Sequence, residues 1–82
     1  MESPNLIRRI ADNQHKLRKS EAKVASYVLA NANDVIKMRI VDLAANSEVS
    51  EPTVIRFCRA LGFDGFQSFK LQLAQQLGMG SV

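Results

Sequence analysis

No glycine occurs in the first 61 residues of this chain, and its two prolines stand at positions 4 and 52. Glycine and proline are the strongest local interrupters of regular backbone, so their scarcity leaves long stretches free to be helical. Strictly alternating apolar and polar runs are missing as well, which argues against a half-buried sheet. The pattern predicts an all-α fold. At 82 residues the chain has room for one core and must use nearly every apolar side chain to build it.

The apolar spacing divides the chain. Leu6, Ile7, Ile10 and Leu17 predict a first helix over roughly residues 5–16. Ser20 is placed as the N-cap of a second helix in EAKVASYVLANAN, whose buried stripe is Ala25, Val28, Leu29 and Ala32. Asn31 and Asn33 punctuate that segment, and DVIKM reads as a short third turn or helix. In RIVDLAANSEV, Ile40, Leu43 and Ala44 share a face. A further helix must begin at Ser50, because Pro52 lacks an amide proton and is comfortable only in a first helical turn. Gly62 and the Asp64-Gly65 pair break it, and Phe66, Phe69, Leu73 and Leu77 mark the last helix. The expected division is a domain over 1–77 followed by the start of a linker over 78–82.

The stretch DLAANSEVSEPTVIRFCRALG has the layout of a helix-turn-helix, and the whole is expected to be a bundle of about five helices of homeodomain-like form. Ala44 is small where two helices must approach, Val49 plugs the turn, and Val54 and Phe57 anchor the second helix. Many such motifs carry glycine in the turn. Here Ser47-Glu48 stands there, and Glu48 can take a left-handed backbone at a cost of about 1 kcal/mol.

Angular placement along that helix separates two faces. At about 100° per residue, Val54, Phe57, Cys58 and Leu61 fall within an arc of roughly 100°. Arg56 and Arg59 fall about 30° either side of the opposite pole, with Pro52 between them and Thr53, Ile55 and Ala60 on the flanks. No carboxylate stands at i±4 to neutralise either arginine. Forked donors suited to guanine O6 and N7, among small neighbours, are what a major-groove helix presents.

Other residues qualify with alternatives. Ser50 has a sufficient role as N-cap, and its neighbouring amides suit a phosphate. Thr53 is a candidate for phosphate or base contact. Glu51 either favours the helix dipole or accepts from cytosine N4. Ile55 packs on a thymine methyl or covers the helix edge. Lys70 borders the last apolar stripe, where its ammonium reaches a phosphate or is simply solvated. Leu71 falls off that stripe and marks a second apolar contact such as a dimer interface.

The remaining chemistry is sparse. One cysteine and one histidine exclude an intrachain disulfide and a structural zinc site. Cys58 lies on the inward arc, so it is expected to be a buried, inert thiol despite its arginine neighbours. No nucleophile-base pair, phosphate-cradling glycine loop or metal-ligand spacing is present, so neither enzyme activity, metal nor cofactor is expected. No apolar run approaches the ~20 residues of a membrane span and the N-terminus has no secretory h-region, so a cytoplasmic location without membrane partners is expected. Net charge is +3, which permits an anionic partner without requiring one.

With these residues placed, SEPTVIRFCRALGFDGFQSFK and the upstream LRKSEAKVASYVLAN closely resemble the RpiR family of bacterial transcriptional regulators, over nearly the whole chain. The SEPTV start and FKLQLAQ look most like members that are repressors of central sugar metabolism. The resemblance implies a sequence-specific DNA-binding domain, acting as a homodimer on double-stranded DNA, with Ser50, Glu51, Thr53, Arg56 and Arg59 on the DNA-facing helix. It also implies a phosphosugar effector bound by a sugar-isomerase-like C-terminal domain that this chain lacks. Two departures stand out. Arg39 replaces a serine able to cap the preceding helix, so that cap is supplied differently or Arg39 is turned toward DNA phosphate. Ser47-Glu48 replaces the usual small residue and glycine. The competing expectation is a helical protein-interaction module on the same scaffold, supported by modest net charge and by apolar Ile55 and Leu71.

Overall fold

A computed structural model describes residues 6–78 and builds them from α1 (Leu6–Asn13), α2 (Lys19–Val35), α3 (Ile40–Ser47), α4 (Glu51–Ala60) and α5 (Phe66–Gln76). A short 3-10 turn over Gln14–Lys16 follows α1, and no strand occurs among the described residues. The all-α expectation holds. Pro4, residue 5 of the expected first helix and residues 79–82 of the expected linker lie outside the described residues.

The apolar stripes are the ones the spacing predicts. Leu6 and Ile10 of α1, Ala25 and Val28 of α2, Leu43 and Ala44 of α3, and Phe66, Phe69 and Leu73 of α5 are all buried in one core. Ile7, Leu17, Leu29, Ala32, Ile40 and Leu77 pack around it half-buried. Three phenylalanines tie its far end together. Phe57 of α4 meets Phe69 edge-on at 5.4 Å between centroids, and Phe69 meets Phe63 the same way at 5.8 Å. Phe57 and Phe69 are fully buried, so truncating either to alanine would cost about 3 to 5 kcal/mol.

Two helix boundaries differ from expectation. The second helix begins at Lys19 with Arg18 in the extended N-cap conformation, and the Ala22 amide donates to the Arg18 carbonyl at 2.8 Å. Ser20 is therefore an exposed first-turn residue and not the cap. At its other end, α2 as a whole reaches Val35, but it is two helical pieces joined at Asn31, one of the asparagines expected to punctuate it. Asn31 leaves helical geometry (φ −134°, ψ 36°), and its side-chain amide donates to the Tyr27 carbonyl one turn back at 3.1 Å. A side chain occupying the ladder's acceptor is a recognised cause of a kink, so the punctuation bends α2 without ending it.

Long helix α2 is the platform. Helices α3 and α4 both pack on it and on each other, while α1 and α5 close the other side. The Leu6 amide donates to the Gln76 side chain, so the first helix starts against the end of the last. Gln14 donates to the Ser26 hydroxyl at 2.9 Å and fastens the 3-10 turn to α2.

Candidate nucleic-acid interface

The turn between α3 and α4 is a Schellman motif without glycine. The Val49 amide donates to the Ala44 carbonyl at 2.9 Å and the Glu48 amide to the Ala45 carbonyl at 3.1 Å. These two bonds satisfy carbonyls that the end of α3 would otherwise leave open. Glu48 takes the left-handed conformation that the motif requires (φ 61°, ψ 44°). Val49 packs half-buried against the core as the expected plug, and Ala44 is buried at the close approach. The neighbouring Ser47 hydroxyl is buried with no hydrogen-bond partner among the described residues.

Helix α4 shows the two faces that its angles predict, with one exception. Val54, Phe57 and Cys58 are fully buried and Leu61 nearly so, while Pro52, Arg56, Arg59 and Ala60 are exposed and Ile55 is half-buried at the edge. Arg56 makes no hydrogen bond or ion pair with any described residue. Arg59 makes one long contact, from Nε to the Asp64 carbonyl at 3.4 Å. The exception is Thr53, which was placed on an exposed flank and is only 5% exposed. Its hydroxyl lies 3.0 Å from that of Ser50, so the first turn of α4 is closed by a hydroxyl pair. Ser50 holds the expected N-cap position with extended backbone, yet its hydroxyl goes to Thr53 and not to a backbone amide. Glu51 is an exposed first-turn carboxylate.

The start of α3 resolves what replaces the missing serine cap. Arg39 occupies the N-cap, and Asp42 reaches back to accept from the Arg39 amide at 3.1 Å and from its guanidinium Nε at 3.4 Å. This is the reciprocal half of a capping box. The Arg39 amide bond, followed by its guanidinium, holds the Asp42 carboxyl below the usual carboxylate range. Arg39 nevertheless keeps its side chain mostly in solvent.

Lys70 does not reach outward. Its ammonium donates to the Met38 carbonyl at 2.8 Å and lies 5.2 Å from the centre of the Phe66 ring, which ties α5 to the turn entering α3. Plain solvation therefore does not describe it. Beside it lies a shallow groove of about 230 Å³ lined by Ile36, Gln67, Lys70, Leu71 and Ala74. Leu71 stands 60% exposed on its rim.

The far end of α4 carries a residue that periodicity alone did not single out. Gly62 (φ 96°) and Phe63 form a second Schellman motif, with amide bonds to the Arg59 carbonyl at 2.9 Å and the Cys58 carbonyl at 3.1 Å. The Leu61 carbonyl, which these bonds leave open, accepts from the Arg9 guanidinium of α1. The same guanidinium lies 5.5 Å from the Phe63 ring centre. An arginine inside an amphipathic helix reads as solvated surface, so no local signal announces this contact.

Chemistry of other kinds finds little footing. Burial pushes the Cys58 thiol up to about 12, so it stays protonated and inert as expected. Among the described residues no group of three or more His, Cys, Asp or Glu is placed to hold a metal ion, and no helix is long and apolar enough to cross a membrane.

Comparison with known proteins agrees with this geometry. Residues 4–80 match the family model for the helix-turn-helix domain of the rpiR family. The chain is 43% identical over 78 residues to the transcriptional regulator HexR of Pseudomonas aeruginosa, covering 95% of this chain and 27% of HexR. It therefore spans about a quarter of that relative's length. Among solved structures, it superposes on the N-terminal domain of the transcriptional regulator ybbH from Bacillus subtilis with a TM-score of 0.86, at 33% identity and 96% coverage of both chains. Vibrio vulnificus NanR, solved with ManNAc-6P, gives a TM-score of 0.89 at 40% identity, covering 95% of this chain and 30% of NanR.

Proposed function

This chain belongs to the rpiR family of helix-turn-helix domains, and from that membership we propose that it is the DNA-reading part of a bacterial regulator of sugar metabolism, working as a repressor in the cytoplasm. Helix α4 enters the major groove with Arg56 and Arg59 toward guanine edges, and α3 crosses the phosphate backbone. The observation that carries this reading is the pair of outward arginines on a helix whose opposite face is locked into the core. Exposed Glu51, the edge of Ile55 and the mostly solvated Arg39 complete the surface, with Ser50 beside the first-turn amides. Thr53 and Lys70 belong to it indirectly, by fixing the start of α4 and the approach to α3. The test is binding-site selection from random duplex DNA, followed by a mobility-shift titration of wild type, Arg56→Ala and Arg59→Ala. Affinity for the selected duplex unchanged from wild type in both variants would sink the assignment.

We place the second copy of the chain on the α5 face around Leu71. Leu71 is the central residue of α5, and it stands beside a groove that includes Ile36 and Ala74. The one charged residue of α5, Lys70, is drawn away to Met38, so two such faces do not repel. An antiparallel two-fold crossing seats each Leu71 in the other copy's groove. We expect the free domain to associate weakly and to pair on DNA carrying two half-sites about one turn apart.

In the longer protein, residues 1–77 form this domain and 78–82 begin a linker to a sugar-isomerase-like domain. NanR was solved with a phosphorylated sugar, and an effector of that class would act here only through the region beyond the linker.

A further inference from the structure

We infer that Arg9, on a helix outside the helix-turn-helix, is a positioning residue for sequence reading: it fixes the C-terminal end of α4 and through it the aim of Arg59. The inference rests on the DNA-binding reading above. The last turn of a helix leaves carbonyls without partners, and such an end frays unless something holds it. Two of these carbonyls are taken by the Gly62 and Phe63 amides. A further carbonyl, that of the C-cap residue Leu61, is held from α1 by the Arg9 guanidinium.

The same group also seats the turn that follows. It lies over Phe63, which packs edge-on to Phe69, which packs edge-on to Phe57 of α4 itself. The turn is thus gripped on one side by a cation and on the other by an aromatic row rooted in α4. Arg59 stands in that last turn, and its Nε leans on the Asp64 carbonyl two residues after Gly62. Arg56 lies one turn earlier, where Phe57 and Val54 already fix the helix. Loosening the 61–64 turn therefore disturbs Arg59 and spares Arg56. A planar guanidinium suits both tasks, since it donates in its plane and stacks by its face.

The test is a double-mutant cycle on the duplex selected by the wild-type chain, at a temperature where circular dichroism shows each variant folded. Arg9→Met is expected to weaken binding about tenfold, within the range of coupling between neighbouring side chains, with an unchanged salt slope. The effect should vanish in an Arg59→Ala background and persist in full in Arg56→Ala. A loss of stability alone would not tell those backgrounds apart. Arg9→Lys, which keeps the charge and a donor, should show a smaller loss with the same dependence on Arg59, and it carries the test if Arg9→Met does not fold. Unchanged affinity, an equal loss in both backgrounds, or a salt slope lowered by about one phosphate contact would each overturn the inference. Failure of the wild-type chain to enrich any sequence would overturn the DNA-binding reading itself, and the inference with it.

Discussion

The ammonium of Lys70 donates to the carbonyl of Met38 at 2.8 Å, joining α5 to the turn that leads into α3 across 32 positions of sequence. One charged bond thereby holds the approach to α3 against α5. Lys70→Met keeps the stem over Phe66 and loses the donor. It should destabilise the fold by about 1 to 2 kcal/mol, as for a lost hydrogen bond to a charged group, measured by urea unfolding. The salt slope of DNA binding should stay the same, whereas a lysine bound to phosphate would lower it by about one.

Arg56→Ala and Arg59→Ala should leave the thermal midpoint nearly unchanged, because neither side chain supports the core and only one long contact is lost. Each should lose about 1 to 3 kcal/mol of discrimination for its base, read in competition titrations against a mismatched duplex. Wild-type affinity should fall steeply between about 50 and 200 mM salt; a shallow dependence would favour the protein-interaction alternative.

The two Schellman turns invite opposite substitutions. Glu48→Gly relieves a left-handed conformation that L side chains resist, and should stabilise the domain by up to about 1 kcal/mol. Gly62→Ala should destabilise it by about 1 to 2 kcal/mol through the backbone alone. A Cβ there would sit 3.7 Å from the Arg9 guanidinium, an ordinary contact.

Asp42 gives the fold a pH dependence of known sign. Its folded value is depressed below 3.8, so its contribution is complete above that and fades as the pH falls through the lower, folded value. Asp42→Asn should therefore lower the thermal midpoint near neutrality, and the gap to wild type should close in acid.

Leu71→Glu should abolish self-association while the isolated domain stays folded, since Leu71 is largely in solvent. Sedimentation equilibrium at high concentration checks this. Concentration-dependent amide shifts in the wild type should be confined to Ile36, Gln67, Leu71, Ala74 and their neighbours. Shifts elsewhere, or none, would remove the second copy from this face.

What could be foreseen follows from the range over which each cause acts. The stripes of α1, α3, α4 and α5 depend on spacing along one helix, and Pro52 and Gly62 act through their own backbones, so these were visible in the letters. Thr53 was not, because its angle puts it on a flank and only the Ser50 hydroxyl and the packing of the first turn decide that it is buried. Arg18 displaced Ser20 as the cap because the chain leaving the 3-10 turn is already extended there. Arg9 and Lys70 find backbone carbonyls 52 and 32 residues away, and a carbonyl carries no mark in the sequence.

Helix α4 divides its labour by side: the residues that hold it are sealed from solvent, and Arg56, Arg59 and Ala60 hold nothing substantial in place. If α4 reads DNA as proposed, an inheritable change at those outward positions alters the sequences that are read without endangering the molecule. On that reading, the same separation makes α4 a replaceable reading head for the engineer.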